Sequence, residues 1–137
     1  MKIALVGLGK MGANMARRLR RGKVEVVGYN RSHDIVATLA KEEGVIPAKS
    51  LADVVQKLTT PRVIWLMLPS GQPTEQAILD LIPMLARGDL IVDGGNSNYN
   101  DSVRRGKLLQ EHGIAFMDCG TSGGVWGLAN GYCLMVG

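Results

Sequence analysis

The chain has 137 residues, of which 46% are hydrophobic and 20% charged, with a formal net charge of +4. That length supports one domain with a real core, the composition excludes disorder, and no apolar run approaches the roughly 18 residues of a membrane span. A mild positive balance suits anionic small molecules such as phosphorylated nucleotides or sugar acids.

The start, Met1-Lys2-Ile3-Ala4-Leu5-Val6-Gly7, carries too short an apolar stretch for a signal peptide, so a cytoplasmic chain is expected. Ile3–Val6 reads as a first strand and Met11–Arg21 as a helix whose inward residues are Met11, Met15, Ala16 and Leu19. Arg17, Arg18, Arg20, Arg21 and Lys23 crowd the end of that helix, where cations suit the dipole. No aromatic residues interleave with them, so the cluster reads as a solvated helix end and not as a nucleic-acid surface.

Val24–Tyr29 then predicts a second strand and His33–Glu43 a second helix, with Asp34 capping or solvating its start and His33 at the surface. A helix over Leu51–Leu58 precedes a strand over Val63–Leu68, and a fourth helix over Thr74–Ala86 contains Pro83, which predicts a kink. Leu90–Val92 is the next strand, Asn98–His112 the next helix, and Ile114–Met117 and Tyr132–Val136 the last strands. Gly22, Gly44, Gly88 and Gly113 follow helical stretches and suit the left-handed position beyond a helix end. Cys119 and Cys133 form no CxxC pair and have no metal spacing with His33 or His112, so both read as buried, reduced thiols without a metal role.

Continuous apolar strands alternating with helices imply an α/β fold, a Rossmann-type doubly wound and mainly parallel sheet with helices on both faces. Residues 1–137 form one dinucleotide-binding domain. The sequence stops after Cys133–Val136 with no covering helix, and the organisation is that of the front part of something longer.

The chemistry is concentrated where strands end. Gly7-Leu8-Gly9-Lys10-Met11-Gly12 is G-x-G-x-x-G between a strand and a helix. Gly7 allows the tight turn, Gly9 lets backbone approach a pyrophosphate, Gly12 lets helix and strand pack closely, and the helix's bare amides face the diphosphate. Where an NAD site usually carries Asp or Glu at the end of the second strand, this chain has Asn30-Arg31-Ser32. Asn30 and Ser32 can donate hydrogen bonds and Arg31 can pair with a 2′-phosphate, which favours NADP over NAD. Leu68-Pro69-Ser70-Gly71, Asp93-Gly94-Gly95-Asn96-Ser97-Asn98-Tyr99 and Asp118-Cys119-Gly120-Thr121-Ser122-Gly123-Gly124 lie at the same predicted edge. Their glycines and small polar side chains let a ligand come close to backbone.

Gly7 to Gly12, Tyr29-Asn30-Arg31-Ser32, the GGNS element with Tyr99, and Ser122-Gly123-Gly124 together resemble the 6-phosphogluconate dehydrogenase family of the β-hydroxyacid dehydrogenase superfamily. Sibling enzymes acting on hydroxyisobutyrate or tartronate semialdehyde share the first fingerprint and the SGG, but usually not GGNSxY. The loop at Leu68–Gly71 is similar to that of the shorter bacterial-type branch, which lacks a loop lysine and includes some members preferring NAD. The resemblance covers the family's amino-terminal domain, without its carboxy-terminal helical domain. It implies hydride transfer from the C3 hydroxyl of 6-phosphogluconate to NADP and decarboxylation to ribulose 5-phosphate, in the pentose phosphate pathway.

By the same resemblance, Gly7, Leu8, Gly9, Lys10, Met11 and Gly12 hold the pyrophosphate, Asn30, Arg31 and Ser32 the adenosine phosphate end, and Leu68, Pro69 and Ser70 line the cofactor. Asn96 touches both nicotinamide and substrate, and Ser122, Gly123 and Gly124 bind the sugar acid. The family's Lys and Glu, and its subunit pairing, lie beyond Gly137, so no catalytic group is expected in residues 1–137. The full-length protein is expected to be a homo-oligomer, and this chain alone to bind cofactor without turnover. Lys107, with Arg104 and Arg105, reads as part of a solvent-facing helix, and Glu111 and His112 as helix-end solvation. Two other readings remain: another β-hydroxyacid dehydrogenase, or a stand-alone NADP-sensing module.

Overall fold

In the computed structural model the backbone is described for residues 1–137, with every side chain except that of Val125. Seven strands form one sheet in the order β3-β2-β1-β4-β5-β6-β7. They are β1 (Lys2–Val6), β2 (Glu25–Tyr29), β3 (Ile46–Pro47), β4 (Val63–Leu66), β5 (Leu90–Asp93), β6 (Ala115–Ser122) and β7 (Cys133–Val136). The helices are α1 (Lys10–Arg21), α2 (His33–Glu43), α3 (Leu51–Gln56), α4 (Gln72–Leu81), α5 (Tyr99–Glu111) and the single turn α6 (Gly127–Asn130). Strand order reverses between β1 and β4, the switch point where doubly wound sheets open a crevice at the carboxyl ends of their strands.

Alternation along each strand divides the core in two. Ile3 and Leu5 face α1 and α2, packing with Ala13, Met15, Ala16, Val36 and Leu39. Ala4 and Val6 face the other way, onto Val54, Val55, Ile78, Leu81 and Leu109 of α3, α4 and α5. A central strand covered on both sides has no polar face, which is why β1 reads as an unbroken apolar run. Each fully buried Leu, Ile or Val contributes about 1.5–3 kcal/mol.

The sheet is mainly parallel, as expected, while several finer expectations are corrected. The first six strands are parallel, but β7 runs antiparallel to β6, pairing Ser122 with Cys133 and Cys119 with Val136. A one-turn helix followed by Gly131 at φ +99° reverses the chain too quickly for a crossover. The short strand β3 pairs with β2 through only two residues, too few to leave a periodic signal. β6 continues through Asp118–Ser122, well past the apolar segment.

Pro83 ends α4 instead of kinking it: the helix stops at Leu81 and a 3-10 turn over Ile82–Met84 follows. A proline ring has no N–H to continue the ladder. Gly44, Gly88 and Gly113 take positive φ as expected, but Gly22 sits at −84° and Lys23 takes the left-handed conformation, at +66°. Cys119 is buried and Cys133 is exposed on the edge strand, against the expectation of two buried thiols. Burial, with the Asp118 charge second, pushes the Cys119 thiol upward.

The basic cluster is more than solvated surface. Arg20 donates to the carbonyls of Glu43 (2.9 Å) and Val24 (3.1 Å), Arg18 to that of Leu128 (3.0 Å), and Arg21 pairs with Glu43 (2.6 Å). These contacts tie the end of α1 to the end of α2 and to α6. Among the described residues, no helix is long and apolar enough to cross a membrane, and no His/Cys/Asp/Glu group could hold a metal ion.

Candidate functional site: a cleft at the switch point

An open cleft of 590 Å³ lies where the chain leaves β1, β2, β4, β5 and β6. Gly7, Gly9 and Met11 form its floor, with Asn30, Leu68, Pro69, Ser70, Gly95 and Asn96 around it, together with Met67, Gly94 and Thr121. The cleft therefore gathers most of the expected cofactor residues. Arg31 and Ser32 are exposed just past β2 and outside its lining, and Lys10 is exposed at the start of α1. Ser122, Gly123 and Gly124 follow Thr121 along the chain but do not line the cleft. A second groove, lined by Ile3, Met15, Leu19, Trp65 and Tyr132, is almost wholly apolar, and its one charged side chain, Arg18, donates to the Leu128 carbonyl at 3.0 Å.

The glycine turn is built as its spacing requires. Gly7 takes φ +94°, and a Cβ there would lie 2.4 Å from the Met67 carbonyl oxygen. A Cβ on Gly12 would lie 2.1 Å from the Gly7 carbonyl oxygen, so α1 can approach β1 only through a residue without a side chain. A Cβ on Gly9 would meet nothing within 4 Å, because Gly9 faces open cleft. The first helical bond runs from the Ala13 amide to the Gly9 carbonyl at 2.8 Å, leaving the amides of Lys10, Met11 and Gly12 without helical partners. Those donors and the positive end of the dipole make an anion site, and the first turn carries no acidic residue to compete.

Asn30 has a task the sequence did not reveal. Its Oδ1 accepts from the Leu8 amide at 2.8 Å and its Nδ2 donates to the Ser32 carbonyl at 3.0 Å. The side chain thus clamps the glycine turn to the end of β2, and the Leu8 amide is already engaged.

Behind the opposite wall lies a charged network. Asp93 is fully buried at the end of β5; its Oδ1 accepts from the Gly95 amide at 3.0 Å and its Oδ2 from the Ser97 hydroxyl. Arg105 of α5, 1% exposed, donates to Ser97 Oγ (3.1 Å), to Glu75 Oε1 (2.8 Å) and to the Gly71 carbonyl (3.4 Å), with Asp93 Oδ2 at 3.5 Å. Arg104 grips Glu75 from outside at 2.8 and 3.0 Å. Hydrogen bonds from Arg104 first and Arg105 second hold the Glu75 carboxyl at a pKa of about 2.

Arg105 is accordingly no solvent-facing residue. It belongs to the inward stripe Ser102, Arg105, Leu109, and that i, i+3, i+7 spacing was the signal available for finding it. Lys107, Glu111 and His112 are exposed, with His112 Nδ1 3.1 Å from the Leu108 carbonyl oxygen. Removing one partner of a buried charge pair typically costs about 3–5 kcal/mol, so the network is a strong constraint on the loops it joins.

A glycine turn at the switch point of a doubly wound sheet, with unpaired helix amides above it, defines a dinucleotide-binding domain of the Rossmann class. Residues 2–137 match the model of the NAD binding domain of 6-phosphogluconate dehydrogenase, and the chain belongs to that family.

Over 137 residues the chain is 42% identical to the NAD(+)-dependent, decarboxylating 6-phosphogluconate dehydrogenase of Haloferax volcanii, covering 100% of this chain and 44% of that one. It is also 42% identical, over 139 residues, to the decarboxylating enzyme of Rattus norvegicus, covering 98% and 29%. Among solved structures, 6-phosphogluconate dehydrogenase of Plasmodium falciparum, studied apo, with NADP+ and with 6-phosphogluconate, superposes with a TM-score of 0.91 at 30% identity. That match covers 99% of this chain and 30% of the other. The 3-hydroxyisobutyrate dehydrogenase of Mycobacterium tuberculosis follows with a TM-score of 0.88 at 29% identity, covering 99% and 46%. The chain thus spans less than half the length of these relatives.

Proposed function

We propose that residues 1–137 are the cofactor-holding part of an NADP-dependent, decarboxylating 6-phosphogluconate dehydrogenase, with NAD admitted more weakly. The observation that carries this reading is the open face at Gly9, flanked by three unpaired helix amides, in a cleft that Gly94, Gly95 and Asn96 also line. The room there fits a diphosphate, since Gly7 and Gly12 are closed by backbone and Gly9 alone of the three is open.

In this reading the amides of Lys10, Met11 and Gly12 hold the pyrophosphate, and the Lys10 ammonium adds charge from the cleft's edge. Leu8 packs in the core and donates its amide to Asn30 Oδ1. Arg31 and Ser32 meet the 2′-phosphate; no intramolecular hydrogen bond of the Arg31 side chain is found among the described residues. Leu68, Pro69 and Ser70 exclude water along one side of the cofactor. Asn96 orients the carboxamide end and the substrate, while Ser122, Gly123 and Gly124 receive the sugar acid. When bound, NADP supplies the hydride acceptor for the C3 hydroxyl of 6-phosphogluconate, and the β-keto acid so formed loses carbon dioxide.

Removing the C3 hydroxyl proton needs a general base. Among the described residues that line the cleft there is no Lys, His, Asp or Glu. The 137-residue chain is therefore expected to bind cofactor without turnover, and the full-length homo-oligomeric protein to carry the activity.

Calorimetric titration with NADP(H) and NAD(H) tests the assignment. Arg31→Ala should weaken NADP(H) binding by about 1–3 kcal/mol and NAD(H) binding far less. Equal losses for the two would remove the NADP assignment.

A further inference from the structure

Arg105 touches no part of the cleft, yet it is bonded to both loops that form one of its walls. Its Nη1 reaches Ser97, next to Asn96 in the loop after β5. Its Nη2 reaches the carbonyl of Gly71, next to Ser70 in the loop after β4. Its Nε is anchored on Glu75 in the first turn of α4. The loop after β5 also packs directly on the end of β4 and the loop beyond it: the Gly94 amide donates to the Leu66 carbonyl at 2.8 Å, and a Cβ on Gly95 would lie 2.7 Å from the Leu68 carbonyl oxygen. The two segments are thus in direct contact as well as joined through Arg105.

A buried guanidinium is expensive to keep, and it is retained here with two carboxylates, one of them wholly out of water. The Gly94 site is filled by the Trp65 indole nitrogen and the Met67 sulfur, 2.2 and 2.5 Å from where a Cβ would stand, so the wall is also packed from below. Asn96 and Ser70, the chain neighbours of the two tied residues, are both exposed at the cleft.

We propose that Arg105 is a positioning residue, which sets the distance between the Leu68–Ser70 and Gly95–Asn96 segments and so shapes the nicotinamide end of the cleft without affecting its adenosine end. The inference rests on reading the cleft as a dinucleotide site. The guanidinium is suited to the task because its donors leave one rigid plane in three directions, toward Ser97, Glu75 and Gly71. A lysine would carry the same charge to one point and could not hold both loops.

The test is titration of the 137-residue chain with NADP+ and, separately, with 2′,5′-ADP, which contains only the adenosine end. Arg105→Lys should weaken NADP+ about tenfold, the loss of roughly one charge-assisted hydrogen bond, and leave 2′,5′-ADP unchanged. Ser97→Ala removes one tie and leaves the Arg105–Glu75 pair, so it should show the same selectivity to a smaller degree. It decides the matter if far-UV circular dichroism finds Arg105→Lys unfolded. Equal affinity for NADP+, or parallel losses for both ligands as general loosening would give, overturns the proposal. An unaltered chain that binds neither ligand overturns the dinucleotide reading itself, and with it this inference.

Discussion

Two of the glycines in the β1–α1 turn should respond to alanine in opposite ways. A Cβ at position 12 would lie 2.1 Å from the Gly7 carbonyl oxygen, whereas real Cβ atoms do not approach within 3.0 Å of such an atom. Gly12→Ala therefore forces α1 away from β1 by roughly 0.9 Å. The obstacle is backbone, and α1 buries Ala13, Met15 and Ala16 against the sheet, so the overpacking should cost about 1–3 kcal/mol. At Gly9 the space is open and φ is −66°, which alanine adopts freely. Loss of glycine at a helix N-cap costs a few tenths to about 1 kcal/mol, and reduced freedom of the unfolded chain returns a similar amount. Gly9→Ala should therefore change stability by no more than about 0.5 kcal/mol. Its methyl projects into the space assigned to the diphosphate, and NADP+ affinity should fall at least about tenfold, or 1.4 kcal/mol. Urea unfolding followed by circular dichroism reads the first quantity and calorimetric titration the second. The reasoning fails if Gly9→Ala is as destabilising as Gly12→Ala, or if it binds dinucleotide as well as the unaltered chain.

Asn30→Asp keeps an acceptor for the Leu8 amide, loses the donor to the Ser32 carbonyl and adds a negative charge beside the 2′-phosphate position. It should shift relative affinity toward NAD by about 1–2 kcal/mol, read from paired titrations; an unchanged ratio would count against the placement of the phosphate. Glu75 supplies the pH dependence. Its folded pKa of about 2 lies below its ordinary 4.5, so its stabilisation is fully present above pH 4.5 and disappears as pH falls toward 2. Because Arg104 is half exposed, the contribution is held to about 1–2 kcal/mol. Glu75→Gln should lower stability near neutrality and flatten the acid limb of urea midpoints, and an equally steep limb in the variant would contradict this.

What could be read from the chain, and what could not, follows from how far apart the cooperating residues are. The glycine turn is local: Gly7, Gly9 and Gly12 carry their reasons within six residues, and the structure crowds two and opens one. The sheet's parallel body was legible because β1, β2, β4 and β5 are covered on both faces. The reversal into β7 was not, since α6 is a single turn tied to α1 by Arg18 and Leu128, positions far apart in sequence. The same is true of the wall behind the cleft. Asp93, Ser97, Arg105, Glu75 and Gly71 meet only when α4, α5 and β5 have packed. Arg105 beside Arg104 and Lys107 looks like solvated charge until the burial of Ser102 and Leu109 shows which face turns inward.

Asn30 shows how structural and ligand roles can compete within one side chain. Oδ1 is bound to the Leu8 amide, and one N–H of the carboxamide is bound to the Ser32 carbonyl. That leaves a single N–H for any ligand, whereas a 2′-phosphate presents several strong acceptor oxygens. In the proposed reading, selection between the two dinucleotides falls mainly on Arg31, whose fork can meet two of those oxygens at once. Asn30 contributes chiefly by being uncharged. It closes the turn as an aspartate would, through the same oxygen to the same amide, without placing a negative charge at the position proposed for the phosphate.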